Sequence, residues 1–99
     1  RILYNGAAVL TLVLDTSGNI VGEPQLTTHG LIDEQEAPDV SEKIFENIED
    51  VLIDMSDADI MDDAKVNEAA RIAVRRSFRD SHRKRPLTTV HVVRVADEG

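Results

Sequence analysis

The chain has 99 residues, 41% of them hydrophobic and 30% charged, a formal charge of −8 and no cysteine. This length makes one domain with one core, burying about 65% of the surface that the unfolded chain would expose, and the composition excludes a chain disordered throughout. The longest apolar run, residues 7–14 with Thr11 inside it, is far short of the roughly 20 residues that cross a bilayer, and the missing cysteines exclude a disulfide framework or thiol chemistry and fit a cytoplasmic protein.

The sequence opens at Arg1 with neither Met nor a signal-type segment, as an excised piece would. Residues 1–6 therefore read as the end of a linker from an upstream domain, 7–96 as a single domain and 97–99 as a polar tail. Residues 7–14 form an unbroken apolar run with β-branched members, the pattern of a central strand. Asp15, Thr16, Ser17, Gly18 and Asn19 then supply turn chemistry, and the apolar pattern resumes at Ile20 and Val21, which predicts a hairpin. The second strand, about 20–28, contains Gly22 and Pro24, so it is expected to bulge or to lie at a sheet edge.

After Gly30 the period changes from 2 to 3.6. Asp39 or Ser41 is the expected helix cap, with Glu42 completing the spacing of a capping box behind Asp39. Val40, Ile44, Ile48, Val51, Leu52 and Met55 fall on one stripe, largely opposite Glu42, Glu46, Glu49, Asp50 and Asp54. An acidic break at 56–62 precedes a second helix, about 63–82, with Val66, Ala69, Ala70, Ala73, Val74 and Ser77 inward. Acids at its start and Arg83, Lys84 and Arg85 at its end suit the helix dipole, and Pro86 stops it. Residues 87–95 are rich in β-branched side chains and read as a third strand.

The order β-β-α-α-β gives an α+β, two-layer sandwich: a three-stranded sheet covered on one face by two antiparallel helices. A first strand apolar on both sides leaves the other sheet face open for another domain or another copy of the chain, which points to an interaction module.

Charge is divided unevenly along the chain. Residues 33–63 hold thirteen acids and one base, a local −12, whereas residues 64–86 hold eight bases and two acids, a local +6. The acidic total makes the chain as a whole a poor nonspecific binder of nucleic acid. No site chemistry is recognisable: His29, His82 and His91 lack metal-ligand spacing, and the aspartates of 57–63 lack the glycine and closing glutamate of a calcium loop. No nucleophile elbow or glycine-rich phosphate loop occurs. The candidate contacts for RNA or a partner are Arg75, Arg76, Arg79, Arg83, Lys84 and Arg85, a basic row that begins at Arg71. Ion pairing of this row with Glu46, Asp50 and Asp54 of the first helix is the favoured plain reading.

Two local strings and the element order resemble the C-terminal domain of bacterial ribonuclease J. The strings are Thr27, Thr28, His29, Gly30 and Leu31 at the end of the hairpin, and Arg83, Lys84, Arg85, Pro86 and Leu87 at the last helix-to-strand junction. The first departs from the family's Ser-Arg-Gly-Phe type, with His29 for Arg and Leu31 for Phe. The second keeps the basic Arg-Pro junction. The resemblance implies an enzyme elsewhere in the chain: a metallo-β-lactamase core with an inserted β-CASP domain, two zinc or other divalent ions, and 5′-to-3′ exonucleolytic and endonucleolytic cleavage of RNA in mRNA decay and ribosomal RNA maturation. It implies homo-oligomers, dimers or tetramers, and a role for this fragment in assembly or in steering RNA, with no catalytic residue, metal ligand or cofactor of its own. The alternative is an acidic protein-interaction module unrelated to nucleases.

Overall fold

A computed structural model describes residues 4–96. The tail at 97–99 and the first part of the expected linker end, residues 1–3, lie outside the described residues. The elements are β1 (Ala7–Leu14), β2 (Gln25–His29), α1 (Ala37–Asp54), α2 (Asp57–Ile60), α3 (Asp63–His82) and β3 (Leu87–Arg94). The sheet order is β2-β1-β3, with β2 antiparallel and β3 parallel to the central β1. Asn5 and Gly6 prolong the β1–β3 contact, because the Asn5 amide donates to the Arg85 carbonyl and the Leu87 amide to the Gly6 carbonyl.

β1 alternates strictly, and this alternation divides the molecule. Ala8, Leu10, Leu12 and Leu14 are buried under the helices, while Ala7, Val9, Thr11 and Val13 face the other way and are only half-buried. The hairpin closes at Asp15, whose side chain accepts from the Ser17 and Asn19 amides at 2.9 Å each. Leu14 bridges Ile20, yet Thr11 pairs with Gln25, so the returning strand carries two extra residues. They bulge at Gly22 and Pro24, as the glycine and the missing proline donor require.

The helices lie on one face. Glu36 at the start of α1 meets His82 at the end of α3 across 3.5 Å, while the short α2 joins their other ends, so α1 and α3 run antiparallel. α1 starts earlier than the capping signals at Asp39 and Ser41 suggest: Glu36 is the N-cap, with Pro38 in the first turn. The Glu36 carboxylate accepts from the Asp33 amide at 3.0 Å, and that bond, followed by the one to His82, holds its pKa below the ordinary value. The acidic break contains one helical turn, α2, capped by the Ser56 hydroxyl. α3 has the expected bounds, and Asp62 accepts from the Ala64 and Lys65 amides.

The core joins Leu10, Leu12 and Leu14 to Leu31, Ile44, Ile48, Val66, Val74 and Phe78, all essentially inaccessible to solvent. Phe78, rather than Ser77, is the large inward side chain near the end of α3. Ser77 instead faces α1, where its hydroxyl donates to the Ala73 carbonyl and accepts from Asn47 at 3.0 Å.

α3 ends at Arg83, which is left-handed with φ of 51° although it carries a side chain. Glycine relieves the roughly 1–2 kcal/mol cost of that conformation but adds freedom to the unfolded chain. Arg83→Gly is therefore expected to stabilise the domain by about 0.5–1 kcal/mol net, measured by urea unfolding. A loss of stability would mean that the arginine side chain carries a contact of its own.

Candidate functional site

Two surfaces stand out, and the first is a consequence of covering the sheet on one side only. The first is the outer face of the sheet. Alternation and register place Val9, Thr11 and Val13 of β1 there, with Gln25, Thr27 and His29 of β2 and Leu87, Thr89, His91 and Val93 of β3. Val21, whose amide donates to the Val13 carbonyl, and Val95 extend the face at one end. No Asp, Glu, Lys or Arg occurs among these residues. Val13 and Val93 are register partners, and Leu87 and Val93 are exposed to 52% and 43%. An uncharged sheet face in which valines and a leucine alternate with threonines, histidines and a glutamine, left open to water, is a candidate contact surface.

The second surface is a concavity of about 420 Å³ at one end of the molecule, lined by Tyr4, Ile72, Arg75, Arg76, Arg79, Lys84 and Arg85. α3 contributes Ile72 and three arginines, the α3–β3 junction contributes Lys84 and Arg85, and the segment before β1 contributes Tyr4. Five of the six basic candidates therefore converge, and Arg83 is not among the lining residues. The junction is clamped. The Arg85 amide donates to Asn5 Oδ1 at 3.1 Å, the Asn5 amide returns a bond of 2.8 Å to the Arg85 carbonyl, and Lys84 Nζ donates to the Leu31 carbonyl at 3.1 Å.

The expected pairing of this row with α1 does not form. Among the described residues no ion pair joins Glu46, Asp50 or Asp54 to an arginine of α3. The reason is the pitch of the two helices. Glu42, Glu46 and Glu49 flank Phe45 on the side of α1 that faces Glu23 and Pro24, while Arg75 and Arg79 lie on the flank of α3 beside Tyr4. Between them runs the α1–α3 groove, crossed by the Asn47–Ser77 bond. Glu46 thus lies on the flank of α1 away from the basic row, whereas Asp50 lines the groove together with Arg76 without forming an ion pair with it. Arg79 pairs with its neighbour Asp80 at 3.1 Å and Arg71 with Glu68, but Arg75, Arg76 and Arg85 have no carboxylate partner among the described residues.

Tyr4 is the member that sequence reasoning missed. It lies outside every periodic segment and far from the cations along the chain, and only the parallel β1–β3 pairing brings them together. His29, His82 and His91 sit on β2, α3 and β3, and among the described residues no group of three or more His, Cys, Asp or Glu is placed to hold a metal ion. No helix among the described residues is long and apolar enough to cross a membrane.

A mixed three-stranded sheet under one helical layer, with an uncharged outer face, places the chain among small two-layer α+β domains. Residues 1–95 match the family model of the ribonuclease J C-terminal domain, and the chain belongs to that family. A search of curated proteins finds no match.

Proposed function

We propose that this is the non-catalytic assembly domain of a cytoplasmic, ribonuclease J-like enzyme, and that the outer sheet face pairs with the same face of a second copy. Family membership supports this reading over an acidic module unrelated to nucleases. In this reading the phosphodiester hydrolysis, its two zinc or other divalent ions, and the exonucleolytic and endonucleolytic steps of mRNA decay and ribosomal RNA maturation belong to the rest of the ribonuclease chain. This domain helps to join such chains into dimers or tetramers.

The observation that carries the self-pairing is electrostatic. A molecule with a charge of −8 repels its own copy wherever acidic surfaces meet, and like charges directly opposed destabilise a contact. The outer sheet face carries no such charge, whereas the α1 side concentrates it. Two strands of eight residues and an edge strand of five give a face of at most about 26 by 14 Å, and a standard interface buries about 800 Å² per partner. The face alone therefore makes a weak contact that gains strength when other parts of the chains are already joined.

Val13→Lys combined with Val93→Lys puts two adjacent cations, and their images from the partner, into that contact. In the full enzyme the dissociation constant of the oligomer, from light scattering over a dilution series, is expected to rise at least about tenfold, equivalent to about 1.4 kcal/mol. The melting temperature should fall by less than about 8 °C, because Val93 is exposed and Val13 half-buried and a directly opposed like-charge pair costs about 1 kcal/mol or less. An unchanged dissociation constant would overturn self-pairing. So would loss of hydrogen-exchange protection between this domain and its own catalytic core with the oligomer intact, since that result would assign the face to the core.

A further inference from the structure

We infer that the concavity framed by Tyr4, Arg75, Arg76 and Arg85 is a binding site for single-stranded RNA, in which guanidinium groups hold successive backbone phosphates and a base stacks on the tyrosine ring. This inference is independent of the self-pairing of the sheet face.

Five cations line one recess in a protein whose total charge is −8. Of these, Arg79 alone has a carboxylate partner, Asp80. Lys84 donates to the Leu31 carbonyl, a neutral acceptor that fixes its position, and its charge acts on the Glu36 carboxylate only from beyond ion-pair distance. The guanidinium fork matches a phosphate with two parallel bonds, and its weak hydration makes the exchange of water for phosphate favourable. The C-terminal end of α3 opposes an anion here, but a helix terminus is worth about 0.3–1 kcal/mol and acts against several full charges.

Tyr4 distinguishes RNA from an acidic peptide. It is 49% exposed, lies beside the cations and is held close to Arg85 by the paired Asn5–Arg85 bonds. A carboxylate chain has no use for an aromatic face, whereas every nucleobase stacks on one. The site also lies where a C-terminal domain joins the rest of its chain, because Tyr4 precedes β1. RNA held there is close to the segment that leads to the nuclease.

The test uses the full enzyme without divalent metal and a fluorescent 2′-O-methyl RNA of about 16 nucleotides, the upper site size of single-strand-binding modules. Arg75→Gln, Arg76→Gln and Arg85→Gln together remove three phosphate contacts. The dependence of log K on log salt is then expected to become shallower by about 2, with affinity lower by at least about tenfold near 0.1 M salt. Tyr4→Ala should weaken binding about tenfold with the salt slope unchanged, and Tyr4→Phe should restore it. All these positions are exposed, so the melting temperature should stay constant and the oligomer dissociation constant should stay that of the parent. Unchanged affinity and slope in the triple variant would overturn the proposal. Displacement of the RNA by polyglutamate of equal charge at equal concentration would also overturn it, because the recess would then be a surface for acidic proteins.

Discussion

Phe78→Ala is expected to cost about 3–5 kcal/mol of folding stability, a large fraction of the roughly 5–10 kcal/mol that holds a domain of this size together. Phe78 is the largest of the fully buried side chains and lies on α3, among residues that pack against β1 and α1. Truncation removes the transfer energy of the ring and leaves a void between three elements whose backbones are held by their own ladders, so the site collapses only in part. Ile72, on the same helix but 37% exposed, is the control: Ile72→Ala should cost less than about 1 kcal/mol. Urea unfolding of both variants checks the contrast. A loss below 1 kcal/mol for Phe78→Ala would show that the helical layer does not depend on this ring. Every α3 cation of the basic recess is positioned by the helix that Phe78 anchors, so any loss of RNA binding in this variant should follow the unfolded fraction rather than a change in the recess itself.

The same residue shows how far the sequence could be read. The steps 66, 70, 74 and 78 and the steps 66, 69, 73 and 77 both satisfy a helical period, and the inward set read from the sequence ends at Ser77 and omits Phe78. Both are right in different directions, because α3 contacts two neighbours: Phe78 enters the core, and Ser77 turns to α1 and bonds Asn47. Periodicity describes one inward direction and does not resolve a helix wedged between a sheet and another helix. The start of α1 differs from its capping signals because a second local preference competes with them. Asp39 and Ser41 are good capping residues, but Pro38 suits a first helical turn and moves the cap to Glu36. The central place of β1 and the edge character of β2 were legible in the apolar run of residues 7–14 and in Gly22 and Pro24. The parallel orientation of β3 was not. It arises from contacts between residues about 80 apart in the chain, and with it went Tyr4, the aromatic half of the proposed RNA site. The basic row was visible as composition. Its freedom from α1 was not, because the relative rotation of two helices is a tertiary property.

Gly6→Ala should destabilise the domain by about 2–4 kcal/mol, as backbone strain adds to the loss of hydrogen bonds at the end of two strands, whereas Gly22→Ala should cost only about 1 kcal/mol. Both glycines have positive φ, 106° and 69°, so conformation alone does not separate them. Their surroundings do. A Cβ on Gly22 meets nothing within 4 Å, but on Gly6 it falls 2.5 Å from the His29 carbonyl oxygen and 3.1 Å from the Gly30 carbonyl. Those atoms are backbone, and His29 is paired with Ala7, so relief requires the open end of the β1–β2 ladder to part. On the other side the Gly6 carbonyl accepts from the Leu87 amide at 2.9 Å, which limits any retreat in that direction. The substitution therefore sets β2 against β3, and the segment that yields carries Asn5 and Tyr4. In the fraction of molecules that still fold, the Asn5–Arg85 clamp should loosen, and RNA affinity should fall as it does for Tyr4→Ala, with the salt slope preserved. Urea unfolding and RNA titration of the two glycine variants test the two parts separately. Equal costs at Gly6 and Gly22 would mean that the strand ends do not approach as closely as 2.5 Å implies. Parent-like RNA affinity in folded Gly6→Ala would mean that the tyrosine is positioned by something other than the start of β1.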